Sequence, residues 1–200
     1  MNVSIVWRVI YDPRRTFEEF IRSPHVEALI PPLVLAVTAT VQGGLEASQR
    51  GSPSSIGLLV GSLYAFVFVA VAFLIAPLIN TLYMLTLQRW ISNTRPPFAS
   101  LFTAFVLCEL PTYLQRLLSG ISNIFNFGPG NVVRPLIGTH PFVYEMIATI
   151  TPFFLWTIIL WWVAVTVLLR AGTYQRIFAV GSLALLDMIF EALLGSVGRH

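Results

Sequence analysis

Residues 56–87, IGLLVGSLYAFVFVAVAFLIAPLINTLYMLTL, run for 32 positions without one charged side chain. As straight α-helix this stretch measures about 48 Å, against a bilayer hydrocarbon core of roughly 30 Å. It reads as a membrane span that must tilt, protrude or bend, and Pro77 is the natural point for a kink.

The remainder of the chain follows the same chemistry. Of its 200 residues, 56% are hydrophobic and 10% charged, whereas soluble domains carry about 25% charged residues. A water-soluble fold of this size would have to hide more apolar surface than it could enclose. Further apolar stretches at about 26–45, 98–120, 142–169 and 177–197 bring the expected spans to five. The expected fold is therefore all-α: a polytopic integral membrane bundle of five transmembrane helices preceded by short amphipathic interfacial helices. Residues 1–22 form the amphipathic part and residues 23–200 the membrane domain.

Within the first part, Val3, Val6, Trp7 and Ile10 recur at helical spacing, and Asp12-Pro13 then opens a second segment in which Phe17, Phe20 and Ile21 share a face. Asp as N-cap with Pro at the first helical position is a start signal, and Ser23-Pro24 repeats it before the first span. Arg8, Arg14, Arg15 and Arg22 occupy other positions. Such an apolar face with basic flanks either lies in the membrane surface or packs beneath the bundle. The pattern of a secretory signal is missing, since the leading apolar segment is short and interrupted by Arg8.

All twelve basic residues are arginines. With the N-terminus in the cytoplasm, Arg8, Arg14, Arg15, Arg22, Arg89, Arg95, Arg170 and Arg176 fall inside, against Arg50, Arg116, Arg134 and Arg199 outside. That asymmetry satisfies the positive-inside rule and puts the C-terminus on the opposite side. The arginines are scattered singly between apolar runs and form no stripe suited to phosphate tracking, so nucleic acid is excluded as a partner.

Ionisable groups at membrane depth are the sharpest candidates for function, because each costs at least ~2.5 kcal/mol at a helix centre. Glu109 and Asp187 fall at similar depth in the third and fifth spans, and Arg116, Glu191 and Glu145 lie toward the outer ends of the third, fifth and fourth. The expectation is an intramembrane polar cluster with Arg116 bridging to Glu191 or Glu145 and the other two acids deeper. Its use is either to fix helix register, to pass a proton or ion, or to meet a partner or a lipid headgroup. Pro111, two residues after Glu109, marks a second kink and frees a backbone carbonyl in mid-span. Trp161 and Trp162 point in different directions, so one is expected to meet lipid or a neighbouring subunit, while Trp90 is placed as an interfacial anchor.

Other chemistry finds no support. His25, His140 and His200 avoid the span centres and Cys108 is the single cysteine, so no metal site and no cofactor is expected. Phosphate-binding glycine loops and nucleophile elbows are missing as well, which points to a protein that is not an enzyme. The connection at 121–141 is rich in Gly, Asn and Pro yet carries Ile124, Phe125, Phe127, Val132 and Val133, and is expected to fold over the bundle as a lid.

Pro13 with Phe17 one turn on, Pro24 before the first span, Phe98-Ala99-Ser100 leading into a span broken at Leu110-Pro111, and Trp156 in the fourth span together resemble the Yip family. These are membrane proteins first known as partners of Rab GTPases, and the resemblance is to the bacterial and archaeal form. It implies a five-helix fold with a cytosolic N-terminus, a prokaryotic plasma membrane as location, and a role in organising partner proteins. The eukaryotic hallmark segments Asp-Leu-Tyr-Gly-Pro and Gly-Tyr are absent, which argues against GTPase binding. The expected function is a non-enzymatic membrane scaffold or accessory subunit that contacts membrane lipids and other integral membrane proteins. The alternative is a small transporter, channel or lipid-handling protein that uses the intramembrane carboxylates.

Overall fold

Helix starts in this chain repeat one device, a capping side chain followed by proline. In a computed structural model of the protein, which describes residues 4–22, 29–30, 33–34, 37–38, 75–92, 94–121 and 141–197, the device opens two helices. The Asp12 Oδ1 accepts from the Arg15 backbone N–H at 3.3 Å and the Asp12 carbonyl accepts from Thr16 N–H and Oγ1, starting the helix at Pro13. Thr151, extended at φ −114° and ψ 165°, accepts from the Phe154 N–H through its Oγ1 and starts a helix at Pro152.

Among the described residues the elements are α1 (Ser4–Tyr11), α2 (Pro13–Arg22), α3 (75–91), α4 (Phe98–Cys108), α5 (Leu110–Ile121), α6 (Pro141–Ala148), α7 (Pro152–Leu169) and α8 (Thr173–Val197), with no strand. The first expected span apart from a few positions, the first part of the second (56–74) and the connection at 122–140 lie outside the described residues. Among the described residues, two helical stretches are long and apolar enough to cross a membrane, Phe98–Gln115 and Pro152–Leu169.

The stretch at 142–169, expected as one span, is two helices. Pro152 has no N–H for the carbonyl one turn back and Thr151 turns its hydroxyl to the new helix, so α6 stops at Ala148 and α7 begins afresh. The stretch at 98–120 is also divided, at Glu109, whose N–H is shared between the carbonyls of Phe105 (3.2 Å) and Val106 (3.3 Å). Pro111 follows as the second residue of α5, where a missing N–H is tolerated.

Helix α7 is the hub: α2, α4, α5 and α8 all pack on it, and α6 packs on α8. The core joins Val9 and Phe17 of α1 and α2 with Met84 and Ile91 of α3, Phe105 of α4, Trp161 and Leu168 of α7 and Leu183 of α8. Val9 and Phe17 are fully buried against the helices of the bundle. Burying a phenylalanine of this kind contributes roughly 1.5–3 kcal/mol, enough to anchor a two-turn helix.

Candidate functional site

Two sets of polar contacts meet α7, one at each end. On its N-terminal half, α5 runs antiparallel and is stitched to it twice: Thr112 and Thr157 hydroxyls meet at 3.4 Å, and Thr151 Oγ1 donates to Gln115 Oε1 at 2.8 Å. Thr151 thereby caps α7 and cross-links it with one hydroxyl, as acceptor from Phe154 and donor to Gln115. Thr157 is fully buried, and satisfying such a hydroxyl inside the bundle avoids a desolvation cost of about 1–3 kcal/mol.

One turn before Thr112 stands the break. Glu109 is 5% exposed, at φ −80° and ψ −4°, between buried Cys108 and Leu110, and its carbonyl accepts from the buried Tyr113 N–H at 3.1 Å. A carboxyl group at a helix interruption inside an apolar bundle can order neighbouring helices or exchange a proton, because burial makes the choice between charged and neutral forms depend on its surroundings.

The other expected cluster members are distributed over three helices. Asp187 is half-buried on α8, with Glu191 one turn further along the same helix. Glu145 is on α6, which packs on α8, and Arg116 is on α5. The side chains of Arg116, Glu145 and Glu191 lie outside the described residues. Pro77 is buried in α3, where its carbonyl accepts from Thr81 Oγ1 at 2.6 Å.

Sequence reasoning missed the opposite end of α7. There Thr94, from the segment between α3 and α4, donates to the carbonyls of Leu168 (3.4 Å) and Leu169 (3.0 Å), which the end of the helix leaves without intrahelical partners. Arg170 closes α7 in the left-handed conformation at φ 48°. Arg176 of α8 reaches back to Thr166 and lies over Trp162. Trp162 and Thr166 are four residues apart on one face of α7, a spacing that could have flagged a site. Its neighbour Trp161 is fully buried and meets Phe154 edge to face at 6.3 Å, so the two tryptophans divide between core and α8.

A family model described as the Yip1 domain matches residues 7–194, a region that contains both ends of α7 and the Glu109 break. No curated protein and no solved structure matches the chain.

Proposed function

Because the chain belongs to the Yip1 domain family, we propose that this membrane protein is a non-enzymatic scaffold or accessory subunit that holds other integral membrane proteins through its outward helix faces. In this reading residues 1–22 form a cytoplasmic amphipathic unit on a five-span domain at 23–200, in a prokaryotic plasma membrane, with the C-terminus on the far side. Glu109, Arg116, Glu145, Asp187 and Glu191 set helix register within that domain.

One observation carries the reading. Polar side chains join helices inside the bundle at Thr112–Thr157 and Thr151–Gln115, while the outward positions Leu155 and Ile159 of α7 and Ile177 and Phe178 of α8 are apolar. Such a molecule offers surface to lipid and to other membrane helices. Isolation from the native membrane in mild detergent should recover a stoichiometric complex with other membrane subunits. Recovery of the chain alone under several detergents and after crosslinking would count against a scaffold.

Burial of Glu109 at a helix break supports a second reading, a small transporter or channel, since interrupted helices with a buried carboxyl are where membrane proteins handle protons and ions. Flux in liposomes that disappears in Glu109→Gln would replace the scaffold by this alternative. Equal background flux in both proteins leaves the scaffold standing.

A further inference from the structure

Arg176 stands on the first turn of α8, and its guanidinium turns back over α7. Nη1 donates to Thr166 Oγ1 at 3.3 Å, Nη2 donates to Thr173 Oγ1 at 3.1 Å, and Cζ lies 5.2 Å from the centre of the Trp162 ring. Thr166 gives its own proton to the Trp162 carbonyl at 2.7 Å, so the oxygen it turns to Arg176 acts purely as acceptor. The arginine is thus held by two neutral hydroxyls and an aromatic face. Among the described residues no carboxylate lies within ion-pair distance of it, and its buried Nε–H has no acceptor.

Position makes this unusual. The 18 residues of α7 span about 27 Å, close to the roughly 30 Å hydrocarbon thickness, so in a spanning α7 the joint at Arg170 falls at the edge of the hydrocarbon, beside the lipid headgroups. Thr166 and Trp162 lie one and two turns inside that level. A cation brought there with no counter-charge among the described residues calls for an anion that can reach the same depth. A guanidinium suits a phosphate, whose oxygens match its planar fork of donors.

The rim supports the same ligand. Thr94 fastens the end of α3 beside the end of α7, which brings Trp90, 85% exposed, to this level, and Tyr174 on the joint is 88% exposed. Such amphipathic rings settle at headgroup depth. Arg170 is exposed and adopts a left-handed conformation that glycine or asparagine takes more easily, so the joint keeps a second positive charge despite backbone cost. Immediately inward, Ile177 and Phe178 are exposed and apolar, a surface along which acyl chains can lie and which free phosphate cannot use.

We propose that Arg176, framed by Trp162, Thr166 and Thr173 and assisted by the charge of Arg170, binds the phosphate of an anionic phospholipid in the leaflet at this end of α7. The proposal rests on the reading that α7 spans the membrane, and the test separates the two.

The full chain is inserted into nanodiscs of phosphatidylcholine alone or with phosphatidylglycerol added. Phosphatidylglycerol should raise Tm by about 5 °C, as expected for a ligand well above its Kd on a protein of this size, and should remain bound in native mass spectra. Arg176→Gln should keep the Tm measured in phosphatidylcholine and lose the increment, and Arg176→Lys should retain part of it. Should Arg176→Gln not fold, the wild type still decides. The Trp162 share of fluorescence, taken by difference from Trp162→Phe, should be quenched more by brominated phosphatidylglycerol than by brominated phosphatidylcholine. Equal stabilisation and equal quenching by the two lipids would overturn the site while leaving the span intact. An equal Tm increment from inorganic phosphate in phosphatidylcholine discs would overturn the lipid as its source. Failure of the chain to insert at all would overturn the span and the site together.

Discussion

Helices α2 and α7 pack on each other and share one core, yet they turn opposite chemistry outward. In α2, Thr16 and Phe17 point in, while Arg14, Arg15, Glu18 and Glu19 point out. In α7, Phe154, Thr157, Leu160, Trp161, Ala164, Val165 and Leu168 point in, and the outward positions are again apolar, with Leu155 52% and Ile159 58% exposed. Water around both helices would leave the α7 surface as a contiguous apolar patch. The difference supports the proposal that the two helices end in different solvents, α2 in water or headgroups and α7 in hydrocarbon.

The shared core carries the largest expected effect. Trp161 is fully buried, and Trp161→Ala should cost about 3–5 kcal/mol, read as a lower midpoint of unfolding in detergent or a loss of folded yield. Trp161→Phe should cost far less, because it also removes an indole N–H that has no acceptor among the described residues. Equal losses from both variants would mean that α7 does not seat this side chain in a packed core.

Next in size is a direct test of the two solvents. Ile159→Arg places a charge on the outward face of α7 and should cost about 2.5–3.5 kcal/mol of insertion, measured by a glycosylation or translocon assay. Glu18→Arg, a charge reversal on the outward face of α2 that ends the exposed Arg14–Glu18 pair, should stay within about 1 kcal/mol. If Ile159→Arg is as mild as Glu18→Arg, α7 faces water and the comparison collapses.

The same contrast explains what could be read in the sequence. The inward face of α2 was visible because water forces charged and apolar residues apart, so Phe17 stands out against Arg14, Arg15, Glu18 and Glu19. In α7 core and lipid ask for the same side chains, and nothing in the residues at 152–169 distinguishes buried Trp161 from outward Ile159. The division at Thr151-Pro152 repeats the Asp12-Pro13 signal, but continuous apolarity on both sides concealed it. Glu109 could be picked out as a single acid in an apolar run. Its seam could not, because Thr112–Thr157 and Gln115–Thr151 depend on how α5 crosses α7. Arg176 over Trp162 depends likewise on the left-handed turn at Arg170, which a non-glycine residue does not announce.

A smaller effect probes how firmly α2 is started. Asp12→Ala removes the acceptor of the Arg15 N–H and should cost about 1 kcal/mol. The loss should appear as faster hydrogen exchange in the first turn of α2, and Asp12→Asn should restore most of it. An Asp12→Asn variant as poor as Asp12→Ala would show that the carboxylate charge, not the cap, holds the turn.

The smallest effect belongs to the charges on the watery side. Arg8 Nη2 donates to Glu19 Oε1 at 2.6 Å, clipping α1 to α2, and Arg15 Nε is 4.0 Å from the same oxygen. The hydrogen bond to Glu19 raises the Arg8 pKa above its ordinary value. A cation raised in the folded state contributes stability that is fully present below its unfolded pKa and lost only as pH rises through the folded one. The contribution of Arg8 is therefore level across the neutral range and fades only in strong alkali. Glu19→Gln should cost roughly 0.2–1 kcal/mol at low salt, as partly exposed pairs do, and almost nothing near 1 M salt, where screening acts over about 3 Å. The cost of Ile159→Arg should barely respond to salt, because its origin is desolvation in hydrocarbon. A Glu19→Gln penalty that survives high salt would place α2 out of contact with water and remove the difference between the two helices.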